Sequence, residues 1–215
     1  MNDELFEYVN DILDFAEGDV GKLQKSAYEE GLPIIPKDVE KLLEFVISVH
    51  KPRKILEIGC CVGFSSSLMA ILTGAEVTTI DRYDIMIKAA KENFKKLGTE
   101  NSVTLIEGDA GEVLKTLNDK YDFIFMDAAK GQYINFLPDC MRLLKVGGIL
   151  FADDIFQEGR IAKDRLDIPR RQRTIHTRLR AFIHEITHDS RLKTSLLTVG
   201  DGVALCHKTG EIENE

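Results

Sequence analysis

Apolar positions change their spacing twice along this chain. Over the first fifty residues Leu5, Tyr8, Val9, Ile12, Leu13 and Phe15 recur at helical intervals. Gly18 and Gly21 interrupt them. A second short helix is predicted over 23–30, and Gly31-Leu32-Pro33 breaks it. After Pro36, the positions Val39, Leu42, Leu43, Val46 and Ile47 mark an amphipathic helix ending near His50-Lys51-Pro52.

From residue 54 onward, short unbroken apolar runs alternate with helical ones. Strands are predicted at 54–58, 76–81, 103–106, 123–127 and 149–153. Helices are predicted at 64–72, at 85–97, through Val113, Leu114 and Leu117, and at 134–144. The last is closed by Lys145-Val146-Gly147-Gly148. Strands that read as near-continuous apolar runs are buried on both faces. Strict alternation with helices makes a parallel sheet covered on both sides. The tail differs: a helix over 170–188, then strands near 192–199 and 202–207 joined by Gly200-Asp201, a hairpin signal. The expected fold is α/β, a Rossmann-like, doubly wound, mostly parallel seven-stranded sheet with an antiparallel C-terminal hairpin. One domain over 1–215 is expected, with N-terminal helices in 1–51 and the catalytic sheet in 52–208.

Composition fits that reading. Of 215 residues, 44% are hydrophobic and 30% charged, enough for one full core and too apolar for a disordered tail. The net charge of −8 excludes a basic coat over the whole surface. The charge is segregated, however. Residues 160–180 hold Arg160, Lys163, Arg165, Arg170, Arg171, Arg173, Arg178 and Arg180 against Asp164 and Asp167, a local +6 in a remainder of −14. Such an island suits a phosphate-bearing partner; a solvated helix face or a self-association surface is the plainer alternative. Arginines at a helix start oppose the dipole, so an anion would compensate them. No apolar run approaches the ~18 residues of a membrane helix. The start, Met1-Asn2-Asp3-Glu4, is acidic where a signal peptide is basic. Cys60, Cys61, Cys140 and Cys206 form no C-x-x-C pair and read as reduced thiols of a cytoplasmic protein.

In an open parallel sheet, ligands sit beyond the carboxyl ends of the strands. Those ends here are Glu57-Ile58-Gly59-Cys60-Cys61-Val62-Gly63-Phe64-Ser65, Asp81, Gly108-Asp109-Ala110, Asp127-Ala128-Ala129-Lys130 and Asp153-Asp154. The first loop has neither the Gly-Lys-Ser/Thr of a P-loop nor G-x-G-x-x-G. Glu57 beside it would repel a pyrophosphate and favours a cationic ligand. A carboxylate after the second strand is placed to accept ribose hydroxyls. A nucleoside with a positive centre and no phosphates is called for, and S-adenosylmethionine fits. Asp127, Asp153 and Asp154 come from neighbouring strand ends. Like charges that close need a cation, and Mg²⁺ or Mn²⁺ takes such oxygens while leaving positions for substrate. Such an ion would acidify a coordinated hydroxyl, and Lys130 would act as base or hold the resulting negative charge.

Taken in order, these motifs resemble the cation-dependent class I O-methyltransferases, the family of the catechol and caffeoyl-CoA enzymes. The resemblance spans roughly residues 30–207 and extends to Pro33-Ile34-Ile35-Pro36 and the N-terminal helices, which look like the family's lid. It implies that Glu57, Gly59, Gly63, Ser65, Asp81, Asp109, Ala110 and Asp127 surround S-adenosylmethionine. It implies that Asp127, Asp153 and Asp154 hold the metal and that Lys130 is the base. Family members are often homodimers. Catechol-type members carry Asp-Asn where this chain has Asp153-Asp154. That departure, with Asp127-Ala128-Ala129-Lys130-Gly131-Gln132-Tyr133 and Pro169-Arg170-Arg171-Gln172-Arg173-Thr174-Ile175, is similar to the bacterial tRNA 5-hydroxyuridine methyltransferases. The implied partner is the anticodon loop of tRNA, gripped by Arg160, Lys163, Arg170, Arg171 and Arg173. A 5-hydroxyl beside a 4-carbonyl presents two vicinal oxygens, as a catechol does. The alternatives are a small catechol or phenylpropanoid substrate, and an RNA-binding module without chemistry. His184-Glu185-Ile186-Thr187-His188 matches the letters H-E-x-x-H, but it lies on an amphipathic helix with no third ligand in view and reads as a chance match to a zinc-protease motif.

Overall fold

The structure is a computed structural model describing residues 3–211. Its backbone divides into two compact units, 1–113 and 114–215. The first begins with three helices, α1 (Asp3–Ile12), α2 (Gly18–Glu29) and α3 (Lys37–His50). Then come β1 (Lys54–Ile58), α4 (Phe64–Thr73), β2 (Glu76–Asp81), α5 (Asp84–Leu97), β3 (Val103–Glu107) and the start of α6 (Ala110–Thr116). Strand β1 pairs in parallel with β2, Ile58 opposite Ile80, and β2 with β3, Asp81 opposite Glu107. Ile55, Leu56 and Ile58 are wholly buried, as the apolar run requires. Gly74 and Gly98, in left-handed conformation at φ 69° and 68°, close α4 and α5. The N-terminal helices expected as a lid pack on this frame, α2 against α4 and α5 and α3 against α4.

The second unit holds β4 (Tyr121–Met126), α7 (Tyr133–Leu143), β5 (Leu144–Ala152), α8 (Arg173–His188), β6 (Leu192–Leu197) and β7 (Val203–Lys208). Strands β4 and β5 are parallel, with Met126 opposite Ala152; β7 runs antiparallel to both β5 and β6. Seven strands, parallel first and antiparallel at the C-terminal end, make the α/β class expected from the sequence.

Two boundaries differ from expectation. The helix expected to run through Leu144 ends at Leu143, and β5 begins at once. Gly147 and Gly148 therefore lie inside a strand. A Cβ on Gly148 would come within 2.9 Å of the Asp122 carbonyl, and the β4–β5 register slips between Tyr121 and Phe123. The glycines serve a bulge that the sequence reads as a turn. Lys208, fully buried, donates from Nζ to the carbonyls of Met141 and Leu144 at 3.0 and 2.9 Å, capping α7 where β5 takes over. The helix expected from residue 170 begins as a 3-10 turn over Arg170–Gln172, and α8 proper starts at Arg173.

Candidate active site

One buried carboxylate holds the turn after β1. Glu57 is fully buried, and its Oε1 accepts the Ser65 hydroxyl at 2.5 Å. Its Oε2 accepts the hydroxyls of Ser66 and Thr79. Burial pushes the carboxyl above the usual range, and the three hydroxyl donors pull the other way. Glu57, expected from the sequence among the residues around S-adenosylmethionine, thus ties the end of β1 to the start of α4 and to Thr79 of β2.

Asp81, half-buried at the end of β2, ties two turns together. Its Oδ2 accepts the amides of Cys60 and Cys61 at 3.1 and 3.0 Å, and its Oδ1 those of Arg82 and Tyr83 at 2.7 and 3.0 Å. Cys61 is held at φ 46°, a conformation non-glycine residues seldom adopt and one enriched at functional loops. Gly63 has no substitute: a Cβ there would stand 2.6 Å from the Phe94 ring. Asp109 is exposed, caps Gly111 N–H at 2.9 Å and pairs with Arg82 at 3.0 Å; Ala110 beside it opens α6. Loop 57–65 carries no Lys or Arg. Acidic strand ends beside a loop without a basic phosphate clamp, with the nearby Arg82 paired to Asp109, fit a cationic, phosphate-free nucleoside.

The second unit gathers its charges around Lys130 and Tyr133. The first turn after β4 puts Lys130 Nζ 2.6 Å from Asp154 Oδ2 and 3.7 Å from Asp201 Oδ2. Burial pulls the lysine pKa down. The Asp154 contact and the charges of Asp154, Asp201 and Asp127 outweigh it, so the ammonium is held above the ordinary lysine value. Tyr133, fully buried, directs its hydroxyl at the carbonyls of Met126 and Asp153, 3.2 and 3.0 Å away. Burial, then the negative charges of Asp127, Asp153 and Asp154, drive its pKa well up. Asp153 is buried, and its Oδ1 accepts the Asp154 amide at 2.7 Å; Asp154 sits at φ 59°. Among the described residues no three His, Cys, Asp or Glu side chains are drawn together tightly enough to hold a metal as they stand. The reason is local: Lys130 lies on Asp154, and Asp153 faces the next amide. The donor set of aspartate oxygens suits a hard divalent cation, and the single Lys130 ammonium offsets only part of its negative charge.

The predicted RNA-binding residues divide by role. Arg170, Arg171 and Lys163 are exposed. Arg173 is not a free cation: it donates to the carbonyls of Ile168 and Leu166 at 3.0 and 2.9 Å and clamps its own loop. Arg160 pairs with Glu158 at 2.5 Å.

Residues 20–209 match the model of the O-methyltransferase family. The chain belongs to that family. A caffeoyl-CoA O-methyltransferase of Populus kitakamiensis is 29% identical over 182 residues, 81% of this chain and 77% of that protein. A Staphylococcus aureus structure assigned to the caffeoyl-CoA O-methyltransferases shares 30% identity and superposes with TM-score 0.87 over 95% of this chain and 99% of that one. The S-adenosylhomocysteine-bound Podospora anserina methyltransferase PaMTH1 shares 27% identity, TM-score 0.84, covering 97% and 95%. This is a methyltransferase of the caffeoyl-CoA type, dependent on S-adenosylmethionine, and the reading as an RNA-binding module without chemistry falls away. Among the described residues, no helix of the methyltransferase is long and apolar enough to cross a membrane.

Sequence reasoning misses Thr79, Ser66, Tyr133 and Asp201. A carboxylate inside an apolar strand demands buried donors, and Ser65-Ser66-Ser67 signals two of them. Asp201 is masked by its place in an expected hairpin turn.

Proposed function

We propose that this methyltransferase transfers the methyl group of S-adenosylmethionine to the 5-hydroxyl of wobble 5-hydroxyuridine in tRNA, giving 5-methoxyuridine. The observation that carries the reading is the exposed basic turn at Arg170-Arg171, with Lys163, in a protein of net charge −8. A tRNA ligand needs phosphate contacts; a free catechol does not. An anticodon-loop base is single-stranded and available to a pocket. The motifs shared with tRNA 5-hydroxyuridine methyltransferases support the same choice.

Residues of the first unit hold the cofactor in this reading. Asp81 meets the ribose, Asp109 and Ala110 flank the base, and Gly59 and Gly63 let the backbone approach it. Glu57 fixes the Ser65 end of the loop. Asp127, Asp153 and Asp154 hold Mg²⁺ or Mn²⁺, which when bound lowers the pKa of a coordinated hydroxyl. With Asp154 engaged as a metal ligand, Lys130 would keep Asp201 as its remaining anchor. Facing the substrate oxygen, its ammonium would stabilise the anion; to act as base it would first give its own proton to solvent, and the free amine would then take the hydroxyl's proton as that oxygen attacks the sulfonium methyl in line.

A second reading, a small vicinal diol such as a catechol or phenylpropanoid ester, is favoured by the caffeoyl-CoA relatives. Nucleoside mass spectrometry of tRNA from a strain lacking the protein separates the two. Accumulated 5-hydroxyuridine with loss of 5-methoxyuridine is expected. Unchanged tRNA together with turnover of free caffeoyl esters would move the assignment to the second reading.

A further inference from the structure

Helix α8 has a face that neither the core nor the carboxylate cluster uses. Leu179, Phe182 and Ile186 are fully buried, whereas His184 and His188 are exposed. Spaced i, i+4, the two imidazoles share one side of the helix. Their rings stack face to face, centroids 4.1 Å apart and 12° from parallel. His188 Nδ1 lies 2.8 Å from the His184 main-chain oxygen. A carbonyl only accepts, so this nitrogen donates and carries the ring proton. The lone pair is left on Nε2, the form in which histidine binds metals, with the other nitrogen oriented by a carbonyl. His188 stands in the last turn of the helix and His184 one turn before it, toward the negative end of the dipole, where a cation is stabilised. Two carboxylates stand at that end: Asp189 is occupied by Arg191 at 2.5 Å, and Glu185, between the histidines in sequence, is exposed.

We propose that His184 and His188 form a binding site for one borderline transition-metal ion, Cu²⁺, Ni²⁺ or Zn²⁺. Two imidazole nitrogens suit these ions and not Mg²⁺, and Cu²⁺ binds most tightly. With His188 held by the His184 carbonyl, rotation of the His184 ring about its Cβ–Cγ bond opens the stack into a pincer, and water completes the coordination. The exposed setting makes this a binding site, not the cleft a zinc protease needs. It is independent of the aspartates in donor chemistry and of the methyl-transfer reading.

The test titrates Cu²⁺ and Zn²⁺ calorimetrically into the whole protein with saturating Mg²⁺ present. The wild type should bind one equivalent of Cu²⁺ more than His184→Gln or His188→Gln, with that step weakened at least roughly tenfold in each variant. His207→Gln should keep it. Electron paramagnetic resonance of the Cu²⁺ complex should count two nitrogen ligands. Both histidines are exposed, so the variants should keep the wild-type circular dichroism and metal-free melting temperature. Wild-type stoichiometry and affinity in both glutamine variants would overturn the site. Loss in only one of them would overturn the pincer.

Discussion

Lys130 Nζ lies 2.6 Å from Asp154 Oδ2, closer than to any other carboxylate described near it, with Asp201 at 3.7 Å. The lysine therefore stands between two anchors, one of them a proposed metal ligand. Because the pair is about one-third exposed, solvent screens it, and its contribution to stability is below about 1 kcal/mol. Any larger importance of the contact lies in the chemistry proposed for Lys130.

Replacing Lys130 by Met keeps the length of the side chain and removes the charge. Turnover should fall about 10²–10⁴-fold, the usual size of a lost acid–base or charge-stabilising group. S-adenosylmethionine affinity should not move, because the residues assigned to it, those at 57–110 and Asp127, do not include Lys130. Single-turnover kinetics with calorimetric cofactor binding checks both. Wild-type turnover in this variant would remove Lys130 from the reaction.

Glu57 tests the loop beneath the proposed cofactor site. Glu57→Ala leaves the hydroxyls of Ser65, Ser66 and Thr79 without their acceptor, at about 2–4 kcal/mol. A melting temperature lower by about 5–15 °C should follow. The pH dependence has a definite sign. The folded carboxyl is held above its ordinary 4.5, so folding binds the proton more tightly than the unfolded chain does. That contribution is full below 4.5 and drains as pH rises toward the folded value. Glu57→Gln cannot ionise, so the stability of wild type relative to this variant should decline as pH rises through that window. Denaturant titrations over a pH series read the difference.

Much of this could be read before any coordinates. The apolar runs Ile55-Leu56 and Phe123-Ile124-Phe125-Met126 announce strands buried on both faces, and glycines after α4 and α5 mark where helices stop. The aspartates at strand ends were equally legible, because topology puts those ends on one side of each parallel set. What escaped depends on contacts that the order of residues does not display, most of them distant in sequence. Gly148 is needed by the Asp122 carbonyl, twenty-six positions earlier. Asp201 reaches Lys130 only because β7 returns beside β5. Arg173 looks like its neighbours in a string of letters, yet its guanidinium is spent on two loop carbonyls.

Divalent cations should prove necessary. Chelation with EDTA should abolish turnover, and Mg²⁺ or Mn²⁺ should restore it. Asp154→Asn removes one negative charge from the donor set and should raise the Mg²⁺ concentration for half-maximal rate roughly tenfold. Activity undiminished by EDTA would discard the metal assignment to Asp127, Asp153 and Asp154.

The basic segment offers a test in which two kinds of arginine separate. Arg170 and Arg171 are exposed on a 3-10 turn, with no residue of that turn buried. Changing both to Ala should weaken tRNA binding and lower the slope of log affinity against log salt by about 1.5–2, two phosphate contacts' worth. Melting temperature and cofactor affinity should stay put. Arg173→Ala should behave differently, since its Nε and Nη2 hold the Ile168 and Leu166 carbonyls. Losing two such bonds costs about 1–3 kcal/mol. The variant should melt earlier, and its weaker tRNA binding should come from a loosened loop more than from a lost phosphate contact, leaving the salt slope closer to wild type. If the Arg170/Arg171 variant instead binds tRNA as the wild type does at every salt concentration, the island serves another surface and the choice of a nucleic-acid substrate over a small diol loses its support.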